Sequence, residues 1–526
     1  MIRSEKIIPN LYKDSVALME ISGRIARLPG IARATTVMAT EANITLLNAG
    51  GGWLLSSQAQ VRPNDLLILI EGVDEASVAA AMSEAERTLM ESPASSLRAD
   101  ETTFIPARSL QMALEDMPGA NLALISTPGE YAAAEAEKAL CLGLHVMIFS
   151  AHIAIQDELA LKQMAHERGL LLMGPDCGTA IVNGIPLGFA NVLRRGPIGL
   201  VAASGTGLQE VTSLIDRAGI GISQALGCGA RDLSEQVGGR GMLDGLAMLS
   251  HDASTQVIVL IAKHPAPKIG QLVIEAAKKS SKRAVINFLG LKVESDVAAG
   301  IYAAETLEEA AQLAVMLTRD TGDLLMAKPR PVAEFALAQE ALDRLSSHQK
   351  YIRGLFSGGT FCYESQMLLG PGSVWSNVAI DANKTLSDVW RSREHTLIDM
   401  GDEVFTRGRP HPMIDLHLRL SRLKQEANDR ETAVILFDAV LGYGAHPNPA
   451  AEIAEAIASV GRDGAPHRLP IFVASVCGTE GDPQDLQQQE SILKEAGVLV
   501  APSNAAATRL AAAVIAEQRK RTQRRR

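Results

Sequence analysis

Gly199-Leu-Val-Ala-Ala-Ser-Gly-Thr-Gly-Leu-Gln-Glu210 decides the fold, because a continuous apolar run passes directly into Ser-Gly-Thr-Gly and then into a helical segment. A strand without polar alternation is buried on both faces, and a strand that feeds a helix through glycine is the repeating step of a parallel sheet. Ligands of such sheets bind where strands end and helices begin. Glycine lets an anion approach the backbone, the hydroxyls of Ser204 and Thr206 add donors, and the amides of a helix start favour negative charge. Cys177-Gly178-Thr179, Gly358-Gly359-Thr360 and Cys477-Gly478-Thr479 repeat the small-Gly-Thr pattern. Taken singly, each of these three also serves as a tight bend with a capping hydroxyl. At Ser204 to Gly207 the anion reading is preferred. No GxxxxGK[ST] occurs, and no clean GxGxxG opens a helix after a strand, so ATP and NAD are not expected.

On both sides of this stretch, short apolar runs alternate with helical segments at Leu122–Ile125, His145–Phe149, Leu170–Met173, Ile198–Val201, Val257–Ile261 and Ala284–Asn287. They divide into two doubly wound units near Arg194-Arg-Gly-Pro197. A helical connector, Val332–Ser347, leads to a third α/β unit with strands near Ile352–Phe356, Leu397–Met400, Ala433–Phe437, Ile471–Ala474 and Val498–Val500. The first hundred residues differ. A strand Lys6–Tyr12, a helix Asp14–Leu28, strands Ile31–Thr40 and Leu66–Glu71, and a helix Asp74–Met90 outline a ferredoxin-like sandwich, with Glu91–Arg108 as a linker. The expected fold class is therefore α/β, with a small ferredoxin-like α+β N-terminal domain (1–100). A Rossmann-like domain (115–195) and two flavodoxin-like domains (196–325 and 350–515) follow it.

The composition agrees with this plan. The chain has 526 residues, 47% of them apolar and only 4% aromatic, and at about 150 residues per domain that length holds three or four domains. A net charge of −10 opposes binding to nucleic acid or to anionic membranes, and scarce aromatics provide no stacking platform. Five scattered cysteines form no CxxC pair and no zinc spacing, which points to a reduced, cytoplasmic protein without a metal. No signal peptide or membrane span is expected. The basic run Arg519–Arg526 reads as the end of a helix, where cations suit the dipole.

Met173-Gly-Pro-Asp-Cys177, followed by Gly199 to Thr206, resembles the α subunit of succinyl-CoA synthetase in its GPNC turn and SGT loop. The stretches Val434 to Gly444, Pro470 to Gly481 and Leu493 to Gly497 are similar to the carboxyl-terminal domain of that enzyme's β subunit. Fused behind the N-terminal unit, the order resembles the FdrA family of synthetase-like proteins. The resemblance makes 115–195 a CoA-binding-type domain and the two later units ligase domains. It departs from the synthetase at two points. The region Gly290–Gly300 contains no histidine where the synthetase has its phosphohistidine loop, and no ATP-grasp portion is present.

The resemblance implies a phosphate held between two helix starts, Ser204, Gly205, Thr206 and Gly207 on one side and Gly442, Tyr443 and Gly444 on the other. It further implies a subunit of an oxamate carbamoyltransferase of purine (allantoin) breakdown, exchanging oxalurate and phosphate with oxamate and carbamoyl phosphate. Such a chain needs no cofactor, uses phosphate or carbamoyl phosphate as substrate, and works with partner subunits in an oligomer. For that substrate, Arg407 and Arg409 are candidates to grip the carboxylate, and equally an exposed basic turn. Three histidines are the candidate catalytic residues: His411 in the same loop, His446 as a general acid or a turn residue, and His264, which stands where the synthetase has a glutamate near its phosphohistidine. Gly359, Thr360, Gly478 and Thr479 are candidate anion contacts, while Cys362, Glu364 and Cys477 read as packing. The alternative is an acyl-CoA synthetase-type subunit that borrows an ATP-grasp partner. Against CoA, Ser126-Thr-Pro-Gly-Glu-Tyr131 lacks the family's glycine-rich loop, and Glu130 would repel a pyrophosphate. A third reading is a non-catalytic anion sensor.

Overall fold

The computed structural model describes residues 2–11, 13, 15–40, 43–44, 47, 61–90, 107–319, 339, 342–407, 409–462 and 468–524. The expected linker Glu91–Arg108 and connector Val332–Ser347 fall largely outside them. Two compact units form, Met1–Met112 with Glu403–His411, and Ala113–Asp402 with Pro412–Arg526.

In the N-terminal unit, Leu66–Gly72 is the central strand of an antiparallel three-stranded sheet, flanked by Ile2–Ile8 and Ile31–Met38. Alternation sorts its side chains. Leu66, Ile68 and Ile70 pack with Leu18, Ile25, Val78 and Leu89 from the helices Ser15–Ala26 and Glu75–Met90, while Leu67 and Leu69 pack with Ala39 and Leu47 on the other face. The first strand ends at Ile8, short of the expected Tyr12. Pro9 has no amide to extend the ladder, and Asn10 turns the chain with φ 52° and donates its N–H to Asp65.

The second unit contains three sheets. Leu122–Ile125, His145–Ile148 and Leu172–Met173 form a small parallel one. The next is ordered Ile301–Ala303, Arg283–Leu289, Val257–Lys263, Arg195–Ala202, Ile222–Gly227, Thr179–Val182 and Ile185–Gly188. Its first five strands run parallel, and the hairpin Thr179–Gly188 closes it in antiparallel fashion. That hairpin lies before the expected division near Arg194, yet it is hydrogen-bonded into the sheet that follows. The last sheet is parallel throughout, in the order Trp375–Ser376, Thr396–Asp399, Tyr351–Phe356, Thr432–Val440, Ile471–Cys477 and Leu499–Ala501.

The two large sheets share one core. Leu208, Val211 and Ile215 of the helix Gly205–Arg217 pack with Phe361 and Cys362 of Gly359–Leu369, and with Leu510 and Val514 of Asn504–Arg524. Both helices carry buried residues on nearly every side, because each lies between layers rather than on the surface. Their amino ends are thereby brought to one place. Among the described residues no helix is long and apolar enough to cross a membrane.

Candidate anion site

The strand Arg195–Ala202 leads to Ser204, whose extended backbone (φ −160°, ψ 115°) lets its hydroxyl accept the Gly207 amide at 2.9 Å. On the neighbouring sheet, Tyr351–Phe356 leads through Ser357-Gly358 into Gly359–Leu369. The two helix starts face each other. Ser204 Oγ lies 2.6 Å from Thr360 Oγ1, and a Cβ on Gly358 would come within 2.6 Å of Thr206 Cγ2, so only glycine permits the approach. The first amides of each helix have no acceptor within it and bear the positive end of its dipole.

Two more strand ends contribute charge. A Cβ on Gly359 would lie 2.5 Å from Asp399 Oδ2 and 3.1 Å from Lys263 Nζ, which places a carboxyl and an ammonium beside the same turn. Burial pushes the Asp399 carboxyl up to about 6 against the pull of Lys263. Asp176 is exposed to solvent, yet the atoms around it raise its carboxyl by desolvation; Lys263 and then His152 oppose that rise. His264 Nδ1 is 3.1 Å from Tyr363 Oη, and burial raises the Tyr363 phenol, so it holds its proton. The phenol lies against Gly290 (φ 86°), where a side chain would collide with it. His152, Asp176 and His264 all adopt left-handed backbone (φ 62°, 58° and 51°) just past strand ends, a strained conformation costing about 1–3 kcal/mol each and concentrated at functional edges.

The structure therefore brings Ser204, Gly205, Thr206 and Gly207 together with Gly359, Thr360 and His264. It does not bring Gly442, Tyr443 and Gly444 to them, and the second helix start is corrected to Gly358–Thr360. Gly442 donates its amide to Gln484 Oε1 at 3.0 Å, Tyr443 donates to the Ala190 carbonyl at 2.9 Å, and Gly444 packs on Phe189. The helix beyond them begins only at Pro449. His446 is buried with both ring nitrogens engaged, Nδ1 accepting from the Asn448 amide at 3.1 Å and Nε2 lying 3.2 Å from Glu452 Oε1, contacts that hold the turn. The Thr479 hydroxyl donates to the Val192 carbonyl and its amide to Asp482, while Gly478 packs on Leu441. Neither reaches the helix starts.

Arg407, Arg409 and His411 belong to the N-terminal compact unit. Arg407 is exposed and lies 3.7 Å from Glu403; burial and then Arg409 lower the Arg33 guanidinium. The thiols near the site at Ser204 are inert, since burial raises Cys177 to about 12 and pushes Cys228, Cys362 and Cys477 up as well. Lys263, Asp399, Asp176 and His152 were not foreseen, for a single charged residue at a strand end carries no pattern in the sequence. Removing the Ser204 hydroxyl tests the meeting of the two starts. Ser204→Ala should cost about 1 kcal/mol of stability as a lost cap and couple to Thr360→Val by about 0.5–3 kcal/mol in phosphate affinity, measured by calorimetry in a double-mutant cycle.

Three family models match. They are described as a CoA-ligase (residues 355–514), a CoA binding domain (194–290) and an AllF, heavy metal-associated domain (1–103). The CoA binding match covers the Ser204 turn, downstream of the expected 115–195. Residues 1–103 contain neither cysteine nor histidine, and among the described residues no cluster of His, Cys, Asp and Glu is placed to hold a metal ion, so the donor set does not fit a soft metal. The chain is 43% identical over 512 residues to the uncharacterized protein YahF of Escherichia coli, covering 95% of this chain and 96% of that one. It is 29% identical over 182 residues to the α subunit of succinate–CoA ligase [ADP-forming] of Staphylococcus epidermidis, spanning 33% of this chain and 57% of the subunit. Among solved structures, a dinucleotide-forming acetyl-coenzyme A synthetase 1 of Ca. Korarchaeum cryptofilum with phosphate and ADP is 16% identical, with a TM-score of 0.32 over 81% of this chain and 89% of that one.

Proposed function

This chain belongs to the FdrA/AllF-like family of succinyl-CoA synthetase-like proteins, and from that premise we propose a phosphate-using carbamoyltransferase subunit acting on oxalurate. The observation that carries the reading is the pair of facing helix starts with Lys263 beside them, in a chain whose Gly290–Gly300 loop has no histidine to receive a phosphoryl group. A phosphate held there has to react with its substrate directly. One phosphate oxygen attacks the ureido carbon of oxalurate, the carbon–oxygen bond of carbamoyl phosphate forms, and the bond from that carbon to the amide nitrogen breaks. The nitrogen departs as oxamate with one added proton. His264, hydrogen-bonded to Tyr363, is the group proposed to supply that proton and to regain the one that the attacking hydrogen phosphate releases, and the helix-start amides stabilise the oxyanion that develops. The AllF-type N-terminal domain supports a place in allantoin breakdown, and the synthetase-type relatives support partner subunits in an oligomer.

The CoA-ligase and CoA binding matches favour a second reading, an acid–thiol ligase subunit with a separate ATP-grasp partner. The turn that would meet the pyrophosphate of CoA fits it poorly, because Glu130 is exposed in the first turn of the helix Gly129–Cys141 and opposes that charge. The assay is direct. Supplied with phosphate and oxalurate but no ATP, the chain with its partner subunits should yield carbamoyl phosphate. No product under those conditions, together with a thermal shift on adding CoA, would favour the ligase instead.

A further inference from the structure

Glu210 and Glu364 are buried within the helices whose starts face each other, and each binds the start of a helix from the opposite sheet layer. Glu210 Oε1 accepts the backbone amide of Asn504, which begins Asn504–Arg524 and follows the six-stranded sheet, at 3.0 Å. Glu364 Oε1 accepts the amide of Leu307, which begins Leu307–Thr318 and follows the seven-stranded sheet, at 2.7 Å. The Asn504 side chain closes the figure, with Nδ2 donating to Glu364 Oε2 at 2.7 Å and to the Phe361 carbonyl at 3.2 Å. The caps are thus crossed, each sheet layer gripping a helix of the other. They lie less than two turns from Ser204 and Thr360.

Resting on the reading that the two helix starts hold an anion, we propose that Glu210 and Glu364 are positioning residues, whose crossed caps fix the register of those starts and so set the site's affinity. The clamp is proton-linked. Burial holds the Glu210 carboxyl up to about 7; the Asn504 amide opposes that rise most, Glu364 adds to it, and Arg217 and the Cys477 thiol oppose it further. Burial raises Glu364 too, with Glu308 adding to it and Asn504, Leu307 and Arg509 opposing it. A carboxyl raised by folding stabilises the folded state below its ordinary range, and that stability is lost as the pH climbs through the raised value. Above about 7, Glu210 carries a charge that burial and Glu364 both disfavour, and the packing that holds the two helix starts is weakened. Glutamine at 210 stays neutral and keeps an oxygen for the Asn504 amide.

Sulfate is the probe, because it remains a dianion throughout the range tested. Binding to the full chain is measured by calorimetry for wild type and Glu210→Gln. Near pH 6 the two should bind alike, whereas near pH 8.5 wild type should bind about fivefold more weakly than the variant. Glu364→Gln, whose amide nitrogen would face the Leu307 amide or Asn504 Nδ2, should bind more weakly than wild type at both pH values. A wild-type to Glu210→Gln ratio that does not change with pH overturns the clamp. If sulfate binds to none of them, the anion reading fails, and amide exchange over residues 204–208 and 358–362 judges the clamp on its own. Exchange faster in wild type than in Glu210→Gln only at the higher pH supports it, and equal exchange at both pH values overturns it.

Discussion

Gly359→Ala should lower phosphate-dependent turnover by about a hundredfold or more and leave the fold intact. The glycine's φ lies outside the left-handed region, so the backbone itself accepts alanine. The space does not. The new methyl would lie 2.5 Å from Asp399 Oδ2 and 3.1 Å from Lys263 Nζ, displacing the ammonium and the carboxyl that flank the helix start. Donors preorganised for a developing charge lose most of their value when moved by a fraction of an ångström, because the site no longer holds them where the charge appears. Initial rates of carbamoyl phosphate formation against phosphate concentration measure the loss, and the thermal midpoint checks the fold. A variant with wild-type kcat/KM for phosphate would place the reaction away from this turn.

Asp438→Ala should destabilise the protein by about 3–5 kcal/mol, the cost typical of stripping one partner from a buried ion pair. Asp438 is fully buried in the strand Thr432–Val440 and accepts the Ser357 amide at 2.7 Å as well as the Ser357 hydroxyl. Arg419, also buried, lies 3.5 Å from its carboxylate and donates to its carbonyl at 2.6 Å. Truncation would leave a guanidinium without its counter-charge, and the Ser357 amide without an acceptor, at the base of the Gly358-Gly359 turn. Urea unfolding gives the stability directly. A loss below about 1 kcal/mol would mean that solvent reaches Arg419 and the pair is not buried as described.

The parallel sheets were legible because most of their strands are uninterrupted apolar runs followed by helical segments, and Ser204 was legible because it follows such a run with no intervening loop. The second helix start was misplaced for an equally physical reason. Gly442-Tyr-Gly444 follows a strand as Gly358-Gly359-Thr360 does, but Pro447 and Pro449 delay its helix to Pro449, and the intervening amides find acceptors elsewhere. Lys263 and Asp399 could not be joined on paper. They end strands that lie in different sheets, and only the packing of the helices between those sheets sets both beside Gly359. Arg407 and Arg409 looked chemically apt, yet their segment follows the N-terminal unit, which no local spacing reports.

The core shared by the two large sheets has a consequence for assembly. Layers that bury Leu208, Phe361 and Leu510 against one another behave as a heterodimer folded in cis. The covalent connection supplies an effective concentration that two separate polypeptides would have to reach by diffusion. Each layer caps a helix of the other, so neither of the two facing helix starts is held in place until both layers have folded.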